Sequence, residues 1–327
     1  MTIQNPAAVV MVRPTGFAVN TETAADNAFQ AVGASQDRDL APEEFDRVAD
    51  ALAKRGVEVH VFAQHDPLAP DAVFPNNWFS THPDGLVVTY PMAAPSRRRE
   101  RRDDVIAMLT ERYVVTRRLD LSSHENVGRF LEGTGAMVFD HLSKTAFLAR
   151  SGRAHEGLFR QLCADLDTVP HVFGAADADG RPIYHTNVVL SVGQHVALVG
   201  TEAIASLEER RRLLRALRPD LTIIELTLEQ IANFAGNALE LTTPSGPLLA
   251  ISKRGWAALT PDQQRAIERR AEVLPVPLPT IEKSGGSARC MLAGIHLQRL
   301  SAGRLDARDE TVTSSERKNN GSVGHGE

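Results

Sequence analysis

The sequence is short of the residues and runs that mark several classes of protein. Its 327 residues include two cysteines, Cys163 and Cys290, without a CxxC pair, which argues against a disulfide framework and a zinc ribbon. No apolar run approaches the roughly 20 residues that span a bilayer, and the polar residues 1–8 lack the core of a signal peptide. The net charge of −5 gives no sign of a nucleic-acid partner. We therefore expect a cytoplasmic protein without a membrane or nucleic-acid partner.

The composition divides the chain into two parts. Hydrophobic residues make up 43% of the sequence, enough to build a large core. Beyond residue 300 apolar residues become too sparse to pack. We expect a single α/β domain over residues 1–300 and a disordered polar tail over residues 301–327.

A hidden repeat of hairpin, helix and strand runs along the chain. The first residues of successive predicted hairpins are 55, 53, 52 and 53 positions apart. These residues are Asn77, Glu132, His185, Asn237 and Cys290. A period near 50 residues is typical of equal units in a radial or stacked array. The natural closure pairs the last strand with the first, Val9–Val12, so that no edge stays free.

Equal spacing predicts that these five residues meet. In a radial array the inner strand of every unit begins at the same end, so the five side chains converge on one opening. Four of them are polar groups that bind ligands or transfer protons, whereas chance core positions would more often carry valine or leucine. The fifth, Cys290, follows Arg289 in a Gly-rich run, and a thiol beside a cation is typical of a nucleophile.

Four motifs resemble those of the guanidino-group modifying enzymes: arginine deiminases, dimethylarginine dimethylaminohydrolases and amidinotransferases. The motifs are Asp71–Asn77 (DAVFPNN), Leu131–Gly135 (LEGTG), Tyr184–Asn187 (YHTN) and Gly286–Met291 (GSARCM). The resemblance spans residues 8–297. It implies a five-bladed α/β propeller of ββαβ units with pseudo-fivefold symmetry. It also implies one catalytic domain with a small amino-acid substrate, and it allows a homo-oligomer.

Within this group, the pattern is most similar to the citrulline utilisation hydrolases, or citrulline ureidases. Deiminases carry aspartate where this chain has Asn77 and Asn187, and Gly135 replaces the aspartate of their EGGD motif. A guanidinium group offers only donors and suits carboxylates. A neutral ureido group also offers a carbonyl acceptor, which an asparagine amide can serve. Both replacements therefore favour a ureido substrate.

The resemblance also implies roles for individual residues. Cys290 is the nucleophile, activated by Arg289 and a protonated His185. His185 then protonates the leaving nitrogen and activates water. Glu132 holds substrate N–H groups and orients His185. Asp71 is the candidate for binding the α-ammonium group of the substrate.

Several arginines compete for the α-carboxylate of the substrate. Arg150 is favoured, with Arg153 and Arg289 as rivals, because a guanidinium fork donates two parallel hydrogen bonds to a carboxylate. The run Arg97–Arg102 is interpreted instead as a solvated helix face. The scattered histidines lack ligand spacing, so we expect no metal and no other cofactor.

Three functions stay open at this point. The first is hydrolysis of citrulline to ornithine, carbon dioxide and ammonia. The second is a deiminase or dihydrolase that acts on arginine or a related guanidine. The third is a catalytically silent amino-acid-binding protein on the same fold. The presence of Cys290, His185 and Glu132 together argues against the third, and Asn77 and Asn187 argue against the second.

Overall fold

The structure, a computed structural model, describes residues 3–301. The tail predicted to be disordered, residues 301–327, lies outside this range except for Ser301. Among the described residues, none of the helices combines the length and the apolar character needed to cross a bilayer.

Fifteen strands form five three-stranded sheets in the described part of the chain. In chain order they are β1 (Ala8–Arg13), β2 (Glu58–Ala63), β3 (Phe79–Thr81), β4 (Leu86–Thr89), β5 (Arg117–Asp120), β6 (Met137–Asp140), β7 (Thr145–Ala149), β8 (Val169–Phe173), β9 (Leu190–Val192), β10 (Val196–Val199), β11 (Thr222–Glu225), β12 (Leu239–Thr243), β13 (Gly246–Ser252), β14 (Glu272–Val276) and β15 (Ala293–Ile295). The sheet orders are β15-β1-β2, β3-β4-β5, β6-β7-β8, β9-β10-β11 and β12-β13-β14.

Each sheet has one antiparallel and one parallel pair of strands. A parallel pair needs a crossover connection, which a helix supplies in every unit. The helices are α1 (Asp37–Ala53), α2 (Pro95–Arg98), α3 (Asp103–Arg112), α4 (Gly133–Ala136), α5 (Glu156–Asp165), α6 (Thr186–Val189), α7 (Leu207–Ala216), α8 (Leu228–Ala232), α9 (Lys253–Ala258) and α10 (Pro261–Glu268). The crossovers contain α1, α2 with α3, α5, α7, and α9 with α10. The α/β class and the repeated order of elements are therefore as the sequence predicts.

The two ends of the described chain meet in one sheet. In β1, Val9 lies opposite Gly294 of the last strand and opposite Val59 of β2. The last strand thus covers an edge of β1, as the repeat predicts.

Buried apolar clusters join each sheet to the next. Residues of neighbouring sheets share each cluster: Val10 and Val87 lie in one, Val88 and Leu148 in a second, Phe147, Leu198 and Leu249 in a third, and Leu248 and Met11 in a fourth. The clusters connect the sheets in sequence and return from the fifth sheet to the first. Removing this surface from water is the main force that holds the sheets together.

Two predicted elements differ from the structure. The run Arg97–Arg102, predicted to lie on one helix, is interrupted: α2 ends at Arg98, and residues 99–102 lie outside both α2 and α3. The strand predicted from Cys290 begins at Ala293, and Cys290 itself lies in a short 3-10 turn, Ala288–Met291. The predicted hairpin starts likewise lie just ahead of the first strand of a sheet, in or beside tight turns.

Candidate active site

The Cys290 sulfur lies between two asparagine amides. The Nδ2 atoms of Asn187 and Asn237 are 3.5 and 3.3 Å from Sγ. Asn237 also accepts a hydrogen bond from the backbone N–H of Arg289 through Oδ1, at 3.1 Å. A thiolate accepts hydrogen bonds and these amides donate them, so their side chains both position the sulfur and suit its nucleophilic form.

His185 and Glu132 form a buried pair. The His185 Nε2 to Glu132 Oε2 distance is 2.9 Å, and the side chains are 1% and 0% exposed. Burial lowers the pKa of His185 to about 4, against the raising effect of the hydrogen bond to Glu132. His185 is therefore neutral at pH 7. Because a carboxylate only accepts, Nε2 carries the proton and Nδ1 presents a lone pair.

Two buried arginines balance the charge of Glu132. Arg97 Nη1 is 3.5 Å and Arg153 Nη1 is 3.7 Å from Oε2, while Oε1 accepts a hydrogen bond from the backbone of Ala93 at 3.0 Å. Burial by itself would raise the pKa of Glu132. Arg153, the hydrogen bond to His185 and Arg97 outweigh it and hold that pKa well below its usual value. Glu132 is thus ionised, and both of its oxygens are already engaged.

Arg97 is part of the site, and the interpretation of its run as a solvated face is wrong at this residue. It is 3% exposed and binds Glu100 through two hydrogen bonds of 2.8 and 3.0 Å. With the amide of Asn77 oriented to satisfy its neighbours, Asn77 Oδ1 accepts from both Nη atoms of Arg97, at 3.0 and 2.9 Å. The run does not form one helix face, because α2 ends at Arg98.

A narrow cavity with a volume of about 10 Å³ opens in front of Cys290. Its wall consists of Asn27, Asp71, Phe74, Asn77, Arg97, Arg153, Tyr184, His185, Ser284, Gly285, Gly286 and Cys290. Asp71 is the acidic member of this wall. Its Oδ2 accepts from Asn20 at 2.8 Å, whereas its buried Oδ1 has no partner. Burial raises the pKa of Asp71, opposed by Arg97.

The structure brings most of the sequence-predicted site residues together. Cys290, His185, Asn77 and Asp71 line the cavity. Glu132 and Asn187 lie behind this wall, each bonded to a residue of the wall.

Two of the three arginines considered for the substrate carboxylate lie elsewhere. Arg150 is half-exposed and pairs with Glu209 at 2.9 Å and with Glu156 at 3.6 Å, away from the cavity wall. Arg289 lines a different cavity, so its guanidinium does not face the front of Cys290. Arg153, the rival candidate, lines the cavity with its guanidinium carbon 4.8 Å from the centre of the Tyr184 ring.

Sequence reasoning missed Arg97 altogether and gave Asn237 no role. The regular spacing already pointed to Asn237, which occupies the same place in its unit as His185 does. Glu100 could have indicated the role of Arg97 from the sequence, because residues three apart on a helical turn can form an ion pair.

Close packing around position 135 explains why this residue is a glycine. A Cβ atom there would collide with the Asn77 amide and would lie 2.7 Å from His185 Nδ1. The position where related motifs carry aspartate therefore has no room for a side chain in this site.

A family model described as N,N dimethylarginine dimethylhydrolase, eukaryotic, matches residues 13–297. The chain belongs to this family. Its members are hydrolases of guanidino C–N bonds, within the guanidino-group modifying enzymes that the four motifs resemble, so that broader recognition is confirmed. No curated protein matches the chain.

Solved structures share the fold at low identity. The N-terminal domain of ArgZ, an arginine dihydrolase from the ornithine-ammonia cycle in Cyanobacteria, aligns with a TM-score of 0.68 and 15% identity, over 88% of this chain and 97% of that domain. Unliganded AgrE aligns with a TM-score of 0.69 and 16% identity, over 90% of this chain and 40% of its own. The structure of a dimethylarginine dimethylaminohydrolase adduct aligns with a TM-score of 0.62 and 15% identity, over 92% of this chain and 100% of that chain. The chain thus spans well under half of AgrE.

The buried position of Arg97 makes a stability prediction. Arg97→Met leaves the buried Glu100 and Asp71 without their cation, so the free energy of unfolding should fall by about 3–5 kcal/mol. Arg99→Met, from the same run, removes a half-exposed pair with Asp66 and should cost about 0–1 kcal/mol. Urea denaturation of the two variants measures the difference. Equal losses would show that Arg97 is not held in a buried network.

Proposed function

We propose that this protein hydrolyses the ureido group of citrulline. One citrulline and one water give ornithine, carbon dioxide and ammonia. Cys290 forms a covalent carbamoyl intermediate, and His185 moves the protons. The proposal agrees with membership of a family that hydrolyses C–N bonds of the related guanidino group.

The observation that carries the proposal is the set of amides around the nucleophile. Asn187 and Asn237 contact Sγ, and Asn77 lines the cavity in front of it. Within residues 3–301, the hydrogen bonds of this sulfur go to asparagine amides and not to a carboxylate. The nearby Glu132 already has both oxygens engaged. A guanidinium would find few open acceptors here, whereas a neutral ureido group needs no opposite charge.

The proposed reaction requires a sequence of proton transfers. Nδ1 of neutral His185 takes the thiol proton as Sγ attacks the ureido carbon. The imidazolium, stabilised by Glu132, then protonates the departing nitrogen. A water, deprotonated by the same Nδ1, attacks the thioester carbon, and the resulting carbamate loses carbon dioxide. A neutral resting His185 replaces the protonated histidine that the sequence suggested, and Glu132 acts as its positioning residue.

The charged end of the substrate would bind at the other wall residues. Asp71 Oδ1 has no partner and suits the α-ammonium group. Arg153 suits the α-carboxylate. In this structure its Nε donates to Asp26 at 2.8 Å, and Asp26 is about half-exposed. A substrate carboxylate can therefore replace that of Asp26 on the same guanidinium.

The wider arrangement is also part of the proposal. The clusters that link the five sheets and return to the first support a five-bladed propeller with pseudo-fivefold symmetry, in a single domain over residues 1–300. A cytoplasmic location and a homo-oligomeric state remain predictions.

A second candidate is an arginine dihydrolase or deiminase. Its support is the family description and the similarity to ArgZ, whose substrate has a guanidino group. The free oxygen of Asp71 offers one place for a guanidinium. The two candidates differ in their substrate: the first releases ornithine and ammonia from citrulline, whereas the second acts on arginine.

Product assays with separate substrates should decide between the candidates. We expect ornithine and ammonia from citrulline, and loss of that activity in Cys290→Ala. Cys163→Ala is the matched control, because the second thiol is buried in an apolar cluster away from the site and should be dispensable. Citrulline accumulating from arginine, with no turnover of citrulline itself, would overturn the proposal.

The pH dependence should reflect the low pKa of His185. Protonated His185 cannot accept the thiol proton, so kcat/KM for citrulline should fall as the pH drops through about 4. Unperturbed histidine would place this fall near pH 6.5. Circular dichroism over the same range separates loss of fold from loss of activity. A fall centred near pH 6.5 in folded protein would contradict a neutral, buried His185 base.

Asn187→Asp tests the preference for a neutral substrate. The new carboxylate sits beside Sγ and slows attack on either substrate, but only a guanidinium gains a charge partner. The ratio of kcat/KM for citrulline over arginine should therefore drop at least tenfold, or about 1.4 kcal/mol. Asn126→Asp on the exposed surface is the control. An unchanged ratio would remove the electrostatic argument for a ureido substrate.

A further inference from the structure

A second cavity lies beside the turn that carries the nucleophile. Its cavity volume is about 40 Å³. Arg289 lines it, although the next residue, Cys290, lines the candidate active site. Three histidines share its wall, His82, His141 and His296. None of these four side chains takes part in the proposed reaction.

Arg289 differs from the other buried arginines of residues 3–301. Arg97 and Arg153 pair with carboxylates, but Arg289, 8% exposed, forms no ion pair in the described chain. Its Nε has no hydrogen-bond partner, and Nη1 reaches only the Ala238 carbonyl, at 3.5 Å. Burial lowers the pKa of Arg289 to about 10, which leaves it charged at pH 7. An isolated buried cation is costly, and an anion would offset that cost.

Neutral histidines share the cavity wall with this cation. The ring centroids of His141 and His296 are 4.3 Å apart, and those of His82 and His141 are 6.0 Å apart. Burial lowers the pKa of His82 and of His141 to about 3. Neutral imidazoles keep one N–H each. His82 uses Nε2 with Ser80 Oγ at 2.8 Å. The His296 ring donates its N–H to the backbone of Ile3, so its buried Nδ1, which has no partner, is left as an acceptor.

Two other features of the wall bear on the ligand. Glu240 is the acidic wall residue, and its oxygens are satisfied by Asn5 at 2.8 Å and by two backbone N–H groups at 3.3 Å. No set of three His, Cys, Asp or Glu side chains within residues 3–301 is arranged to hold a metal ion. The fixed charge of Arg289 also opposes a cation. The cavity therefore favours an anion of low charge.

We propose that this cavity binds a small oxyanion that carries an O–H group: its oxygens accept from the guanidinium of Arg289, and its O–H donates to the unprotonated ring nitrogen of His296. Hydrogencarbonate and inorganic phosphate share this chemistry and are the two candidate ligands. The bound anion would fix the Arg289 side chain and, through the chain, the turn that presents Cys290. The site does not depend on which substrate Cys290 attacks.

The direct test observes Arg289 itself. The ¹⁵N–¹H signal of its Nε group is assigned by its loss in Arg289→Lys. Hydrogencarbonate and phosphate are then titrated separately at constant ionic strength, with sodium chloride as the reference salt. A saturable shift of this signal with either anion supports the site. The anion that saturates the signal at the lower concentration is identified as the preferred ligand. No saturable shift with either anion overturns the proposal.

Thermal denaturation supplies an independent readout. A ligand that binds the folded state raises Tm. The increase seen with the binding anion, relative to chloride, should vanish in Arg289→Met and decrease in His296→Gln. It should persist in Arg150→Met and His124→Gln, which alter residues outside this cavity. A full increase in Arg289→Met would place the anion elsewhere and overturn the proposal.

Discussion

The buried charge of Glu132 is the constraint on which the rest of the site depends. A carboxylate with no exposed surface must be compensated where it lies. His185, Arg97 and Arg153 come from three separate segments, and each approaches the same oxygen, Oε2. The fold must therefore hold these segments together before the site exists. The close approach at Gly135 is part of this arrangement, because a side chain there would displace both His185 and Asn77.

Compensating Glu132 creates further requirements. Arg97 brings a cation into the interior, and Glu100 and the Asn77 oxygen complete its coordination. Arg153 is completed by Asp26, which is partly exposed and therefore replaceable. The result is an alternating set of charges with one open acceptor, Asp71 Oδ1. An amino acid offers the complementary pair of charges, one for Asp71 and one for Arg153.

The sequence predicted the repeated units and the group formed by Cys290, His185 and Glu132, because residues at equal places in equal units meet when the units assemble. Arg97 could not be found in this way. A run of arginines looks like a solvated helix face when the helix is taken as continuous, and the interruption after Arg98 depends on contacts with distant segments. Arg150 and Arg153 are three residues apart on one turn, so only the folded backbone decides which of them lies inside.

Arg289 and Cys290 illustrate the same limit at the scale of one peptide bond. Adjacent residues in the 3-10 turn direct their side chains into different cavities. A cation next to a thiol in sequence therefore does not imply a cation next to the sulfur in space. Around Sγ the structure provides the amides of Asn187 and Asn237. Neutral donors of this kind position the nucleophile without offering a guanidinium a negative charge, so the same amides that hold the sulfur favour a neutral ureido group.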